Sequence, residues 1–224
     1  MAPGSGLIPH HGGVDDHAAF DRLARTVYGA ARAGTVDCTA AFDLATSKQA
    51  HYPQDPDATE LAVLSLGCEE SSQPRMAEVA LRLLATIGFD PGFADEPGWL
   101  TCLEGAMRLV NRDVAATGIG HPCQLRVRDD QMLARGGNAY VETWDGYTSS
   151  MGIYPASGAD PLSALVAVAD DAQEALMEAL WVAWPVCPVH RLGVHARDLE
   201  QSAVWWCAGD GGHAVVAIGE WQAS

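Results

Sequence analysis

Between Trp184 and Ile218 the chain reads W-P-V-C-P-V-H-R-L-G-V-H-A-R-D-L-E-Q-S-A-V-W-W-C-A-G-D-G-G-H-A-V-V-A-I. Four residues in this stretch carry donor atoms for a soft or borderline cation: Cys187, His190, Cys207 and His213. They form a C-x2-H pair, a hairpin-sized gap, and a C-x5-H pair. Zinc takes four tetrahedral ligands from cysteine sulfur and histidine nitrogen, which is the chemistry this set offers. Pro188 fixes one backbone angle inside the first pair. Gly209, Gly211 and Gly212 loosen the second enough for it to fold back on itself. His195 lies between the pairs and, by strand alternation, points away from its neighbours as a surface histidine.

The gap between the pairs holds two strand-like runs, Gly193–Arg197 and Ala203–Trp206, joined by Asp198-Leu199-Glu200-Gln201, and a third run follows at Ala214–Ile218. Two ligand turns on a three-stranded sheet resemble a zinc ribbon. The pattern departs from the usual ribbon, because two positions are histidine and the second spacing is wider. The tail C-P-V-H, A-V-W-W-C, G-G-H-A-V-V-A-I-G-E also resembles the compact ribbon tails of a group of actinobacterial proteins, which implies a metal and no particular reaction. Adjacent Trp205 and Trp206 must point to opposite strand faces. One is expected to cover the small sheet and the other to dock it, with Trp184 as further apolar cement.

The elements leading to this tail are mainly helical. Residues 1–14 read as a flexible arm. Residues 15–120 read as a bundle of about five helices, with Phe20, Leu23 and Val27, then Met76, Val79 and Leu83, then Leu103, Met107 and Val110 at helical spacing. Asp37 is an expected cap, and Pro74 and Pro97 are helix openers. From residue 121 to 184 the pattern turns α+β. Strands are expected at Gln124–Arg128, Asn138–Trp144 and Ser149–Tyr154, with turns at Gly136-Gly137 and Asp145-Gly146. A long amphipathic helix capped by Asp160 then runs to Trp181 and Trp184. Residues 185–224 form the ribbon-like element, so the whole reads as α+β: a helical bundle, an antiparallel sheet with one long helix, and a metal-bound hairpin.

The net charge of −16, from 13 basic and 29 acidic residues, argues against a nucleic-acid partner. No apolar run is long enough for a membrane span, and no export signal is evident, so the cytoplasm is expected. In that compartment Cys38, Cys68, Cys102 and Cys123 would be buried free thiols. Cys68-Glu69-Glu70 reads as solvated surface, and His121 with Cys123 as a chance pair. Phosphate-loop, nucleophile-elbow and H-E-x-x-H motifs are absent. A ligand pocket between the helices of the first half, with the ribbon as a lid, is one open reading, and two others rest on the metal. One is a structural zinc protein that works through a protein partner. The other is a zinc hydrolase in which one of His190, His195 or His213 stands aside for water and Glu200 or Glu220 serves as base.

Overall fold

The computed structural model describes residues 14–128 and 137–222. The expected arm lies outside the described residues as far as residue 13, and the expected turn at Gly136-Gly137 lies outside them at Gly136. The architecture is α+β, with seven helices and two small antiparallel sheets among the described residues. Two compact units divide the chain, one ending at Phe89 and the other beginning at Asp90. No described helix is long and apolar enough to cross a membrane.

The first unit is helical: α1 (Val14–Arg32), α2 (Cys38–Gln49), α3 (Pro56–Gly67) and α4 (Gln73–Thr86). Asp37 caps α2 as expected, accepting from the Ala40 N–H at 2.9 Å. In α3, Asp55 caps the helix by accepting from the Ala58 N–H, and Pro56 occupies the first turn. Val27, Leu44, Leu61, Met76, Val79 and Leu83 form a fully buried core. The amide of Gln73 clasps the backbone of Val36, accepting from its N–H at 2.8 Å and donating to its carbonyl at 3.1 Å.

The expectation of four free buried thiols fails here. Cys38 and Cys68 are joined by a disulfide that ties the start of α2 to the end of α3. Their separation of 30 residues hid the pairing, since distant cysteines give no spacing signal. Cys68 is exposed, in a left-handed cap after α3 (φ 44°), and Glu69 and Glu70 beside it are also exposed. With Cys68 oxidised, that triplet has no thiol.

The second unit contains α5 (Gly92–Asp95), α6 (Pro97–Ala116), β1 (Gln124–Arg128), β2 (Asn138–Glu142), α7 (Pro161–Leu180), β3 (His195–Leu199), β4 (Ser202–Cys207) and β5 (His213–Ala217). Helix α6, grouped by its periodicity with the bundle of residues 15–120, packs instead against α7. An apolar stripe specifies that a helix is buried but does not name its neighbour. Strands β1 and β2 pair antiparallel, and the Asp145-Gly146 turn follows β2, with Gly146 donating to the Thr143 carbonyl. The expected strand Ser149–Tyr154 reduces to an isolated bridge at Ile153, with another at Thr148 just before it. Asp160 caps α7 through the Ser163 N–H at 2.8 Å.

Two carboxylates are buried in this unit. Asp113 on α6 is fully buried and accepts three N–H groups: the Trp205 indole at 2.7 Å, Gly219 at 2.7 Å and Trp221 at 2.8 Å. Asp171 on α7 accepts from the Val141 N–H at 2.7 Å, and burial pushes its carboxyl up to about 6. Two residues further along α7, Gln173 donates to the carbonyls of Trp184 and Val194, holding the entry to the C-terminal sheet.

Candidate metal centre

The C-terminal sheet has the order β3-β4-β5, all antiparallel. The β3–β4 hairpin turns at Glu200-Gln201, both at positive φ (50° and 65°). That turn is tighter than the four residues expected, because Asp198 and Leu199 remain paired in the strand. Trp205 is fully buried, edge-on to Trp184 at 5.4 Å between centroids, while the Trp184 indole donates to Thr117 at 2.8 Å. Trp206 faces the other way under the Arg197 guanidinium, 5.0 Å from the ring centroid. The two adjacent tryptophans thus divide docking and covering between them.

Two turns bring the candidate ligands together. The first runs from Val186, which bridges Gly193, through Cys187 to His190. It is closed by the Arg191 N–H donating to the Cys187 carbonyl at 2.9 Å and the Cys187 N–H donating to the Leu192 carbonyl at 2.8 Å. The second connects β4 to β5, where Cys207 pairs with His213. Gly209 is required in this turn, because a Cβ there would lie 2.6 Å from Cγ and Nδ1 of the His190 ring. Gly212 at φ 63° would carry a Cβ 2.7 Å from the Trp206 ring.

One donor atom from each of Cys187, His190, Cys207 and His213 lies within 4.8 Å of all the others. The Cys207 sulfur is 3.4 Å from Nδ1 of His190, and the Cys187 sulfur is 3.9 Å from that atom and 3.7 Å from Nε2 of His213. A tetrahedral ion with metal–sulfur bonds of about 2.3 Å and metal–nitrogen bonds of about 2.05 Å has sulfur–nitrogen edges of roughly 3.6 Å. The observed edges bracket that value, so the group is of a size to hold one metal ion. Both cysteines are buried and both histidines half-buried.

Backbone amides favour the thiolate form. The His190 N–H donates to the Cys187 sulfur at 3.5 Å and the Gly209 N–H to the Cys207 sulfur at 3.4 Å. Burial alone would raise the Cys187 thiol, but the His190 and Val189 amides and the neighbouring Cys207 thiol hold it below its ordinary value. A metal ligand must be deprotonated, so this environment suits coordination.

The remaining sequence candidates stand apart. His195 is exposed and paired in register with Trp206, so it shares the face opposite Cys207 and is not part of the donor group. Glu200 sits at the far end of the β3–β4 hairpin, roughly 17 Å from Cys207 at a strand rise of about 3.3 Å per residue. Glu220 lies beyond β5 and lines a cleft of about 820 Å³ with Trp184, Trp221 and the ligand-turn neighbours Val186, Pro188 and Arg191, but none of the four candidate ligands borders that cleft. His121 is exposed and stacks on Trp144 at 5.5 Å, while the Cys123 thiol is buried and pushed up to about 11. Among the described residues the Cys187 group is the one metal-sized cluster.

Sequence reasoning missed Asp113. No motif marks a lone aspartate on an amphipathic helix, although its place on the apolar side of α6 next to Val114 was a readable anomaly. No protein-family profile, curated protein or solved structure matches the chain.

Proposed function

We propose that Cys187, His190, Cys207 and His213 bind one zinc ion in a structural role, and that the ribbon-like tail so fastened presents a surface to a protein partner. The observation that carries the metal reading is the set of sulfur–nitrogen edges of 3.4–3.9 Å between two buried sulfurs and two imidazole nitrogens. Mixed sulfur and nitrogen donors in a tetrahedron favour zinc over the harder cations. All four positions are filled by protein, which leaves none for a reacting water. The hydrolase alternative requires one ligand to stand aside and a base nearby; Glu200 lies at the far end of the hairpin, and Glu220 shares a cleft that none of the four candidate ligands borders. The ion would join the Cys187 turn to the β4–β5 turn.

The surface proposed for the partner surrounds the first ligand turn. Trp181 is 82% exposed and Val189 72%, with Val182 and Leu192 also exposed. The two segments are neighbours, since a Cβ at Gly193 would lie 3.5 Å from that of Ala183. Apolar side chains gathered this way mark an interaction site. The charge of −16 selects for a basic partner over nucleic acid or a second copy.

The test is elemental analysis of the chain purified without added metal, together with thermal melting before and after a chelator. About one zinc per chain and a fall in the melting temperature on chelation are expected. Metal-free protein whose melting ignores Cys187→Ser would overturn the reading. A photo-crosslinker at Val189 should trap a partner that one at Glu200 does not.

A further inference from the structure

A second feature of the Asp90–Ser224 unit is independent of the metal. Arg108 and Arg112 stand one helical turn apart on α6, both exposed, and line a groove of about 670 Å³. Its opposite wall is Leu162 and Leu165 of α7, and it ends at Gln201 in the β3–β4 turn. A volume in the range of roughly 300–1,000 Å³ is typical of small-molecule sites.

Acidic residues outnumber basic ones 29 to 13, and Arg75, Arg82, Arg126 and Arg128 form ion pairs with carboxylates. Arg108 and Arg112 form none among the described residues; the same is true of Arg191 and Arg197, but Arg108 and Arg112 share one groove. Glu104 stands four residues before Arg108, the spacing at which an exposed helical ion pair forms, yet the two are not paired. The Arg108 guanidinium instead lies over Gly105, where a Cβ would be 3.6 Å from Nη2. A glycine inside a helix costs about 1 kcal/mol relative to alanine, and here it leaves the groove open beside that guanidinium. Two adjacent like charges repel each other, so the arrangement favours a ligand that neutralises both. The α7 amide at Ser163 is already taken by Asp160, which leaves the arginines as the cationic element of this groove.

We propose that this groove binds a small amphipathic anion, its carboxylate or phosphate head held between Arg108 and Arg112 and its apolar body laid along Leu162 and Leu165. Both heads match the planar guanidinium fork. The apolar wall excludes a free inorganic ion as the preferred ligand, and the arginine pair excludes a neutral alcohol.

Titration calorimetry of the full metal-loaded chain tests this with four probes: decanoate, decyl phosphate, decanol and inorganic phosphate. Saturable binding of one molecule of decanoate or decyl phosphate per chain is expected, and the tighter of the two names the head group. Arg108→Gln with Arg112→Gln should weaken it about tenfold or more. Gly105→Leu, which strengthens the helix but fills the groove, should abolish it. Asp160→Asn keeps the α7 cap and removes a nearby negative charge, so it should tighten binding. No saturable binding of either anionic probe, equal binding of decanol, or a double glutamine variant that binds as well as wild type would each overturn the proposal. Because the zinc content is read on the same samples, failure here leaves the metal reading untouched.

Discussion

The carboxylate of Asp113 accepts the indole N–H of Trp205 at 2.7 Å, although the two residues lie 92 positions apart. The same carboxylate takes the amides of Gly219 and Trp221, so one side chain of α6 satisfies one buried and two partly buried donors of the C-terminal segment. Asp113→Ala leaves all three unpaired. Each orphaned donor costs about 1–3 kcal/mol. A loss of at least about 3 kcal/mol in denaturant unfolding of this unit is expected, large enough to populate unfolded chains. Asp113→Asn should also destabilise, because its amide group sets a donor among donors. A wild-type midpoint for Asp113→Ala would show that the bonds are not formed in solution.

Gly209 lies against the His190 ring, and Gly209→Ala would force Cβ into Cγ and Nδ1. The imidazole must swing away from the sulfurs. Metal affinity should fall roughly 10–100-fold, as when the supports of a metal ligand are altered, while far-ultraviolet circular dichroism is preserved. Gly211→Ala is the control. It meets no atom within 4 Å but sits at φ +78°, so it should cost about 1 kcal/mol of backbone strain and leave metal affinity alone. Competition titration with a chromophoric chelator reads both variants.

These two glycines show what the chain announces and what it withholds. The four donors were legible because metal ligation constrains residue type and spacing within a short window, and the three strands around them were legible from alternation. The helix boundaries at Asp37, Pro97 and Asp160 followed from capping chemistry, which is local. The two-residue turn at Glu200-Gln201 was not legible, since neither residue is a usual choice at positive φ. The Cys38–Cys68 bond, the packing of α6 on α7 and the role of Asp113 were hidden for a common reason. Each joins positions far apart in the chain, and no periodicity encodes the partner.

Asp171 gives a pH signature. Burial lifts its carboxyl from the ordinary value of 3.8 to about 6, so the folded protein holds this proton more tightly than the unfolded chain does. Its contribution to stability is therefore greatest below about pH 4 and declines as the pH rises to about 6, after which it is constant. Asp171→Asn keeps an acceptor for the Val141 N–H and removes the charge. Above pH 6 it should be more stable than wild type by roughly 1–3 kcal/mol, with the advantage shrinking on acidification. Urea unfolding of both proteins across this range, compared as a difference, cancels every pH effect common to the two. A difference that does not vary with pH would contradict the assignment.

The disulfide of the first unit closes a loop of 30 residues, for which chain entropy predicts about 3–4 kcal/mol of stabilisation. Cys38→Ser with Cys68→Ser should lower the unfolding free energy of that unit by an amount of this order and leave metal content unchanged. Intact mass before and after alkylation, on protein isolated under acid quench, tests whether the bond exists in the cell. A bonded pair would place the protein where thiols are oxidised and overturn the cytoplasmic expectation. Two free thiols at Cys38 and Cys68 would restore it.

The contacts of Asp113 with Gly219 and Trp221 also bear on the order of events during synthesis. A ribosome releases α6 more than a hundred residues before it releases the amides that helix awaits. Until then a buried carboxylate has no donors, and Trp205 has no settled seat. Completion of the Asp90–Ser224 unit therefore waits on residues more than a hundred positions beyond the carboxylate that receives them.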